Sequence, residues 1–331
     1  MSNEKKISIF EEQVARKPDY YPWAKEFIKS MWHSPWNPDD FNFKSDVQDY
    51  KVKLNDNERE IIQKTLSAIA QIEVAVKTFW AKLGDNLPQP AMRDLGCVMS
   101  NVETIHNHAY EKLLCVLGLE HLFEENLKLP VIAGRVNYLR KYNHKIYTDE
   151  KKQYIYALIL FTLYVENVSL FSQFYIIDWF NRYKNVLKDT SQQTKYTRNE
   201  ETIHSLVGIT IINTIRQQHP EYFDEELINR VKEEAKNSVI AEANIIEWIL
   251  GNFNEEKLNK EVLDEFIKNR MNDSLEKIGF GKLFEINENL LKESTWFDEE
   301  VYGNNSTDFF WKRPVEYSKS HTTFNEEDMF E

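Results

Sequence analysis

Glycine and proline are scarce in this chain, 9 of each in 331 residues. So few backbone breakers exclude a turn-rich sandwich or barrel and favour long helices. No stretch of useful length alternates in the two-residue period of a strand. No glycine-rich phosphate loop and no basic cluster is present, so nothing marks a nucleotide cradle. Positive charge is in deficit: 41 Lys and Arg face 54 Asp and Glu, a net charge of −13. That balance excludes nucleic acid as the main partner, because phosphate binding needs a basic surface. Cysteine is nearly absent. Cys97 and Cys115 share one helical segment, where an ideal helix holds them roughly 27 Å apart, beyond disulfide reach. They read as buried thiols of a reduced cytosol. The opening MSNEKKISIF lacks the apolar run of a secretory signal, so a cytoplasmic protein is expected.

Hydrophobic residues make up 42% of the chain, enough for a large helical core. One apolar stretch, Gln153 to Ile177, carries Glu166 as its only charge. It is long enough to span a bilayer. An intramembrane Glu is expensive, however, and the stretch also holds Gln153, Asn167, Ser169, Ser172 and Gln173. A helix at the centre of a large bundle is apolar nearly all round for the same reason, so no membrane partner is expected.

Three regions follow in order. Residues 1–55 read as irregular and aromatic-rich, with Trp36 in a turn-like SPWNPDD. Residues 56–290 read as a helical domain. Asn55 and Asp56 resemble a cap for a helix from Glu58 to about Gly84, and a second helix runs from about Ala91 to Leu117. Further helices are expected at about Asp149 to Lys188, Ser191 to His219, 223–251 and 256–278. Residues 291–331 form a polar, acidic tail with the composition of disorder.

The tetrapeptide Glu-Thr-Ile-His occurs twice, at Glu103–His106 and Glu201–His204. On a helix the Glu and His of each copy sit about 60° apart in projection, so both reach one point. Some 30 to 35 residues before each copy, a solitary Glu interrupts an apolar run: Glu73, amid AIAQIEVAV, and Glu166. A buried carboxylate is costly unless paired or bound to metal. Two lone carboxylates and two Glu-x-x-His pairs, each on its own helix, are the six ligands of a dinuclear carboxylate four-helix bundle. Four carboxylates and two imidazoles make an oxygen-rich site suited to iron or manganese rather than zinc. Tyr110 lies one turn beyond His106 on the same face, placed either as a core tyrosine or as a phenol that a metal pair oxidises.

These residues resemble the small, radical-generating subunit of class I ribonucleotide reductase, over nearly the whole chain. Glu103-Thr-Ile-His106 with Tyr110, and Glu201-Thr-Ile-His204 downstream, match the family's metal motifs. Trp36 before Asn-Pro-Asp-Asp is similar to the family's Trp-x-Pro-acidic-acidic element, and DFFWKRPVEYSK to its C-terminal Phe-Phe-x-x-Arg-Val-x-x-Tyr element. The resemblance implies a ferritin-like all-α bundle with a dinuclear metal site between four core helices. It implies that the site generates and stores an oxidising equivalent, which Trp36 and Tyr317 pass to a large subunit for nucleotide reduction. It implies that the acidic tail, with Phe330 as anchor, docks that large subunit, and that the chain forms a homodimer.

The chain also departs from the family pattern. Glu73 stands where the first ligand is commonly Asp, and Glu200 where the residue before the second motif is usually Asp. The ligand spacings shift by one in each half. These features resemble the subgroup whose manganese pair is itself the oxidant, with Tyr110 a spectator. A di-iron site with a Tyr110 radical is the alternative, and a manganese–iron pair comes third. Other readings are a stand-alone di-metal oxidase or oxygenase, a metal-storage bundle and a metal-free helical bundle. The oxidase would not need Trp36 in its setting or Tyr317 ahead of an acidic tail, storage bundles are much shorter, and the six-ligand pattern argues against a metal-free bundle.

Overall fold

The computed structural model describes residues 7–303 apart from 34 and 127, with the backbone alone described at 71, 73–77, 123 and 300–303. The described residues up to Ser294 form one compact unit; the helix Thr295–Gly303 belongs to a second. The first unit is the expected all-α bundle. Among the described residues there is no strand, only an isolated bridge between Glu255 and Leu258.

Its eight longest helices among the described residues are α1 (Trp23–His33), α2 (Asp56–Ala81), α3 (Pro90–Leu117), α4 (Pro130–Leu139), α5 (Glu150–Lys184), α6 (Lys188–Gln218), α7 (Glu225–Leu250) and α8 (Lys260–Lys277). Their ends follow local chemistry. Asn55 and Glu58 close a reciprocal capping box on α2, each side chain accepting the other's backbone N–H at 3.0 Å. Pro90 opens α3 where a missing N–H costs nothing, and Gly118, at φ +74°, ends it in the left-handed conformation.

The helix α5 is the apolar core element. It is long and apolar enough to cross a membrane, with a mean hydropathy of 1.6, yet that whole window is buried inside the chain's own bundle. Its middle, Phe161–Ser169, is wound as a π-helix. Such segments recur at functional sites, and this one carries Glu166. Close approach to α6 depends on Gly208, because a Cβ there would meet Thr162 of the π-segment at 2.1–2.8 Å. Asp178 of α5 locks the pair, accepting from Arg198 Nη1 at 2.6 Å and from Ser191 Oγ at 2.8 Å.

The structure differs from the sequence reading in four places, one of them the tail, which is helical at Thr295–Gly303 with Trp296 and Phe297 buried rather than disordered from residue 291. The first 55 residues are not irregular throughout, since α1 fills Trp23–His33 and a short helix fills Lys44–Gln48. The helix expected up to Lys188 stops at Lys184, where Asn185 and Leu187 both take positive φ and turn the chain into α6. Cys97 and Cys115 are free, as expected, but exposed rather than buried. Eighteen residues are five helical turns, so the two share one face of α3, and it is the face opposite Met92, Leu95, Met99, Val102 and His106.

Candidate metal centre

Three helices bring chemistry to one buried point. The second residue of each turn-spaced pair follows from helix geometry: Glu103 and His106 leave α3 together, and Glu201 and His204 leave α6 together. Glu166 enters from the π-segment of α5. Glu103, His106 and His204 are fully buried, and Glu166 and Glu201 nearly so. Ligand atoms of Glu103, Glu166, Glu201 and His204 all lie within 4.8 Å of one another. His204 Nδ1 is 2.8 Å from Glu103 Oε1, 3.4 Å from Glu201 Oε2 and 3.8 Å from Glu166 Oε2. His106 Nδ1 is 3.0 Å from Glu201 Oε1 and 3.6 Å from Glu103 Oε2. Glu73 lies in α2, two turns before Trp80; its side chain is outside the described residues.

The electrostatics are those of ligands crowded in a dry site. Burial, then the neighbouring Glu201 and Glu103 carboxylates, push Glu166 well above the ordinary carboxylate range. Burial also opposes the charge on Glu201, but the Glu166, His106 and His204 groups crowded against its oxygens outweigh it and hold Glu201 low. For His204, burial disfavours the cation, and the Glu103 carboxylate overturns this, raising it well above the usual imidazole range. Both oxygens of Glu103, both oxygens of Glu201 and both ring nitrogens of His204 make no hydrogen bond of acceptable geometry. Buried polar groups are almost always satisfied, so the Glu103 and Glu201 oxygens gathered around His204 Nδ1 and His106 Nδ1 fit a cation held between them. The residues present therefore fit a metal centre, oxygen-rich with imidazole, of the kind that suits manganese or iron.

A shell of donors surrounds these groups. One oxygen of Glu200, Oε2, lies 2.8 Å from Trp36 Nε1 and 2.7 Å from His106 Nε2. With Nε2–H donating to Glu200, the His106 Nδ1 lone pair faces the carboxylate cluster. Trp36 also stacks on His106, ring centroids 6.1 Å apart and 24° between planes. The segment bearing Trp36 is stitched to the start of α6: Asp46 accepts from Thr190 N and Thr190 Oγ1, each at 2.7 Å, and Asp49 accepts from Leu187 N at 3.0 Å. Tyr110 is fully buried, and its hydroxyl donates to Thr197 Oγ1 at 3.4 Å. Tyr317 and Phe330 lie outside the described residues.

Two residues escaped the sequence reading. Trp80 donates Nε1–H to Glu166 Oε1 at 2.6 Å and is fully buried; its place on the Glu73 helix, seven residues on, was the available signal. Tyr196, one turn before Glu200 on α6, sets its ring 5.9 Å from Trp36 and is 38% exposed, so it links the Trp36 ring to the surface.

Comparison with known proteins agrees with this geometry. The family model "Ribonucleotide reductase, small chain" matches residues 15–290. The chain is 21% identical to the ribonucleoside-diphosphate reductase subunit beta of Treponema pallidum, covering 91% of this chain and 86% of that one. Among solved structures, the ribonucleotide reductase R2 subunit from Clostridium botulinum superposes with a TM-score of 0.78 at 20% identity, over 90% of this chain and 96% of that one. An R2-like ligand-binding oxidase with a reconstituted Mn/Fe cofactor superposes at 0.66 and 18% identity, over 80% and 94%. The fold is thus the ferritin-like bundle of these proteins, and the chain belongs to the ribonucleotide reductase small-chain family.

Proposed function

We propose that this chain is the metal-bearing small subunit of a ribonucleoside-diphosphate reductase, working with a large subunit that holds the nucleotide. The observation that carries this reading is the buried cluster of Glu103, Glu166, Glu201 and His204, with His106 beside it and Glu200 joining His106 to Trp36. Those residues, together with Glu73, hold a dinuclear centre. A bound metal pair supplies one-electron redox chemistry with dioxygen or a reduced oxygen species. The chain's own residues do the rest. The apolar walls of α5 exclude water and stray reductants. Glu200 fixes the His106 tautomer and accepts the Trp36 N–H, so that Trp36 is poised to pass an electron.

Within this reading a manganese pair is the first candidate, from Glu73 and the shifted spacings. Di-iron with a Tyr110 radical is the second, and manganese–iron the third. Tyr317 relays the oxidising equivalent, and residues 291–331 dock the large subunit, with Phe324, Met329 and Phe330 as apolar anchors amid acidic charge. Residues 56–290 are the catalytic bundle, residues 1–55 the segment that delivers Trp36, and the protein is a cytoplasmic homodimer. The oxidase reading has only fold likeness behind it.

The test is reconstitution. Metal-loaded chain mixed with a class I large subunit should yield deoxyribonucleotides from ribonucleotides. A peptide of residues 323–331 should inhibit turnover without disturbing the metals. Oxidation of small molecules with no nucleotide reduction by any large subunit would sink the proposal.

A further inference from the structure

The π-segment that carries Glu166 is held from outside by two arginines on different helices. Where it returns to α-helix, Gln173 N–H and Phe174 N–H both go to the Leu170 carbonyl, at 3.1 and 3.0 Å. The Ser169 carbonyl therefore loses the N–H that either helix type would supply from those residues. Arg135 Nη2 of α4 donates to it instead. The same guanidinium reaches the Ala68 carbonyl of α2 at 3.2 Å and Gln173 Oε1 at 2.8 Å. It makes a two-point pair with Glu242 of α7, at 2.8 and 3.0 Å. Arg135 is 2% exposed and Glu242 fully buried.

On the other side Arg270 of α8 takes the residue next to Glu166. Its Nε donates to the Asn167 carbonyl and its Nη2 to Asn167 Oδ1, each at 2.8 Å. Asn167 Nδ2 donates in turn to Ser274 Oγ, one turn further along α8. The Arg270 guanidinium is seated on the Phe171 ring, 3.4 Å from its centroid. Thus Asn167 and Ser169, one and three residues past Glu166, are gripped from different helices by side chains outside the metal cluster.

A buried ion pair is a poor stabiliser when apolar packing could fill the same space, so its presence calls for another reason. Here Arg135 and Arg270 both donate to oxygens at the π-to-α junction. We infer that Arg135, with Glu242, and Arg270 are positioning residues that fix the register of the π-segment and so aim Glu166 at the metal pair. This rests on the metal-centre reading above. Outer groups that orient metal ligands typically change affinity by about 10–100-fold when removed.

The test compares five chains: the parent, Arg270→Gln, Arg270→Lys, the charge-free double variant Arg135→Met/Glu242→Met, and Leu263→Ala, a truncation of a buried side chain two turns before Arg270 on α8 that lowers stability. Two measurements are made on each at a temperature where all are folded: Mn(II) titration by calorimetry, and hydrogen exchange of the peptide covering 161–175 in the metal-free protein. The inference expects Arg270→Gln and the double variant to exchange faster across 161–175 and to lose about tenfold or more in affinity for at least one Mn(II). Arg270→Lys should recover part of each loss. Leu263→Ala should keep parental affinity despite its lower melting temperature. Parental Mn(II) affinity in both Arg270→Gln and the double variant, or an equal loss in Leu263→Ala, overturns the inference. A parent that binds no Mn(II) or Fe(II) pair overturns the metal-centre reading instead, while the exchange data still decide whether the arginines hold the π-segment.

Discussion

Trp36 and His106 share a single oxygen of Glu200, the indole N–H at 2.8 Å and the imidazole at 2.7 Å. Residues far apart in sequence thereby form one hydrogen-bonded line from an aromatic ring to a metal-site histidine. Trp36→Phe keeps the ring packing on His106 and Phe41 but removes the donor and the readily oxidised indole. It should leave metal content unchanged and abolish nucleotide reduction. Glu200→Gln keeps an oxygen for both donors but removes the charge that makes His106 a better ligand. Metal affinity should fall by about tenfold, read by competition with a chelator.

Metal uptake should expel protons. In the metal-free protein Glu166 and His204 are both held well above their ordinary ranges, the first by burial and the second by Glu103 against the cost of burial. Both are therefore biased toward the protonated form, and both must be deprotonated to serve as ligands. Affinity should rise with pH, and loading one pair should release protons, up to one from each of the two groups. Calorimetry in buffers of different ionisation enthalpy measures that number. Uptake without proton release would contradict the assigned protonation states.

Tyr110 distinguishes the two metal chemistries. Its fully buried hydroxyl meets Thr197 Oγ1 at 3.4 Å, a long and therefore weak hydrogen bond. Tyr110→Phe removes the phenol that a metal pair could oxidise while keeping the ring. With a manganese pair as oxidant, the variant should retain most of its nucleotide reduction. Complete loss of activity, with a tyrosyl signal in the parent by electron paramagnetic resonance, would establish the di-iron version.

Much of the architecture was legible because helix periodicity and caps are local. The Glu103/His106 and Glu201/His204 pairs announce themselves by a three-residue spacing that only a helix makes meaningful. The burial of Glu166 could be read from its apolar surroundings. What could not be read were contacts that join distant helices. Nothing local ties Trp80 to Glu166, or Arg135 to the Ser169 carbonyl. The π-winding of Phe161–Ser169 has no sequence period of its own, and its contacts with Gly208 of α6 and Arg270 of α8 come from distant parts of the chain. The cysteines were misjudged because thiols are usually buried, whereas the register of α3 turns both outward.

The central claim is a dinuclear site built by this chain, and anomalous diffraction from crystals grown with manganese or iron tests it most directly. Two peaks roughly 3.5–4 Å apart, between Glu103, Glu166, Glu201, His106 and His204, with Glu73 as the sixth ligand, are the expected result. A single peak, or peaks away from these side chains, would contradict it.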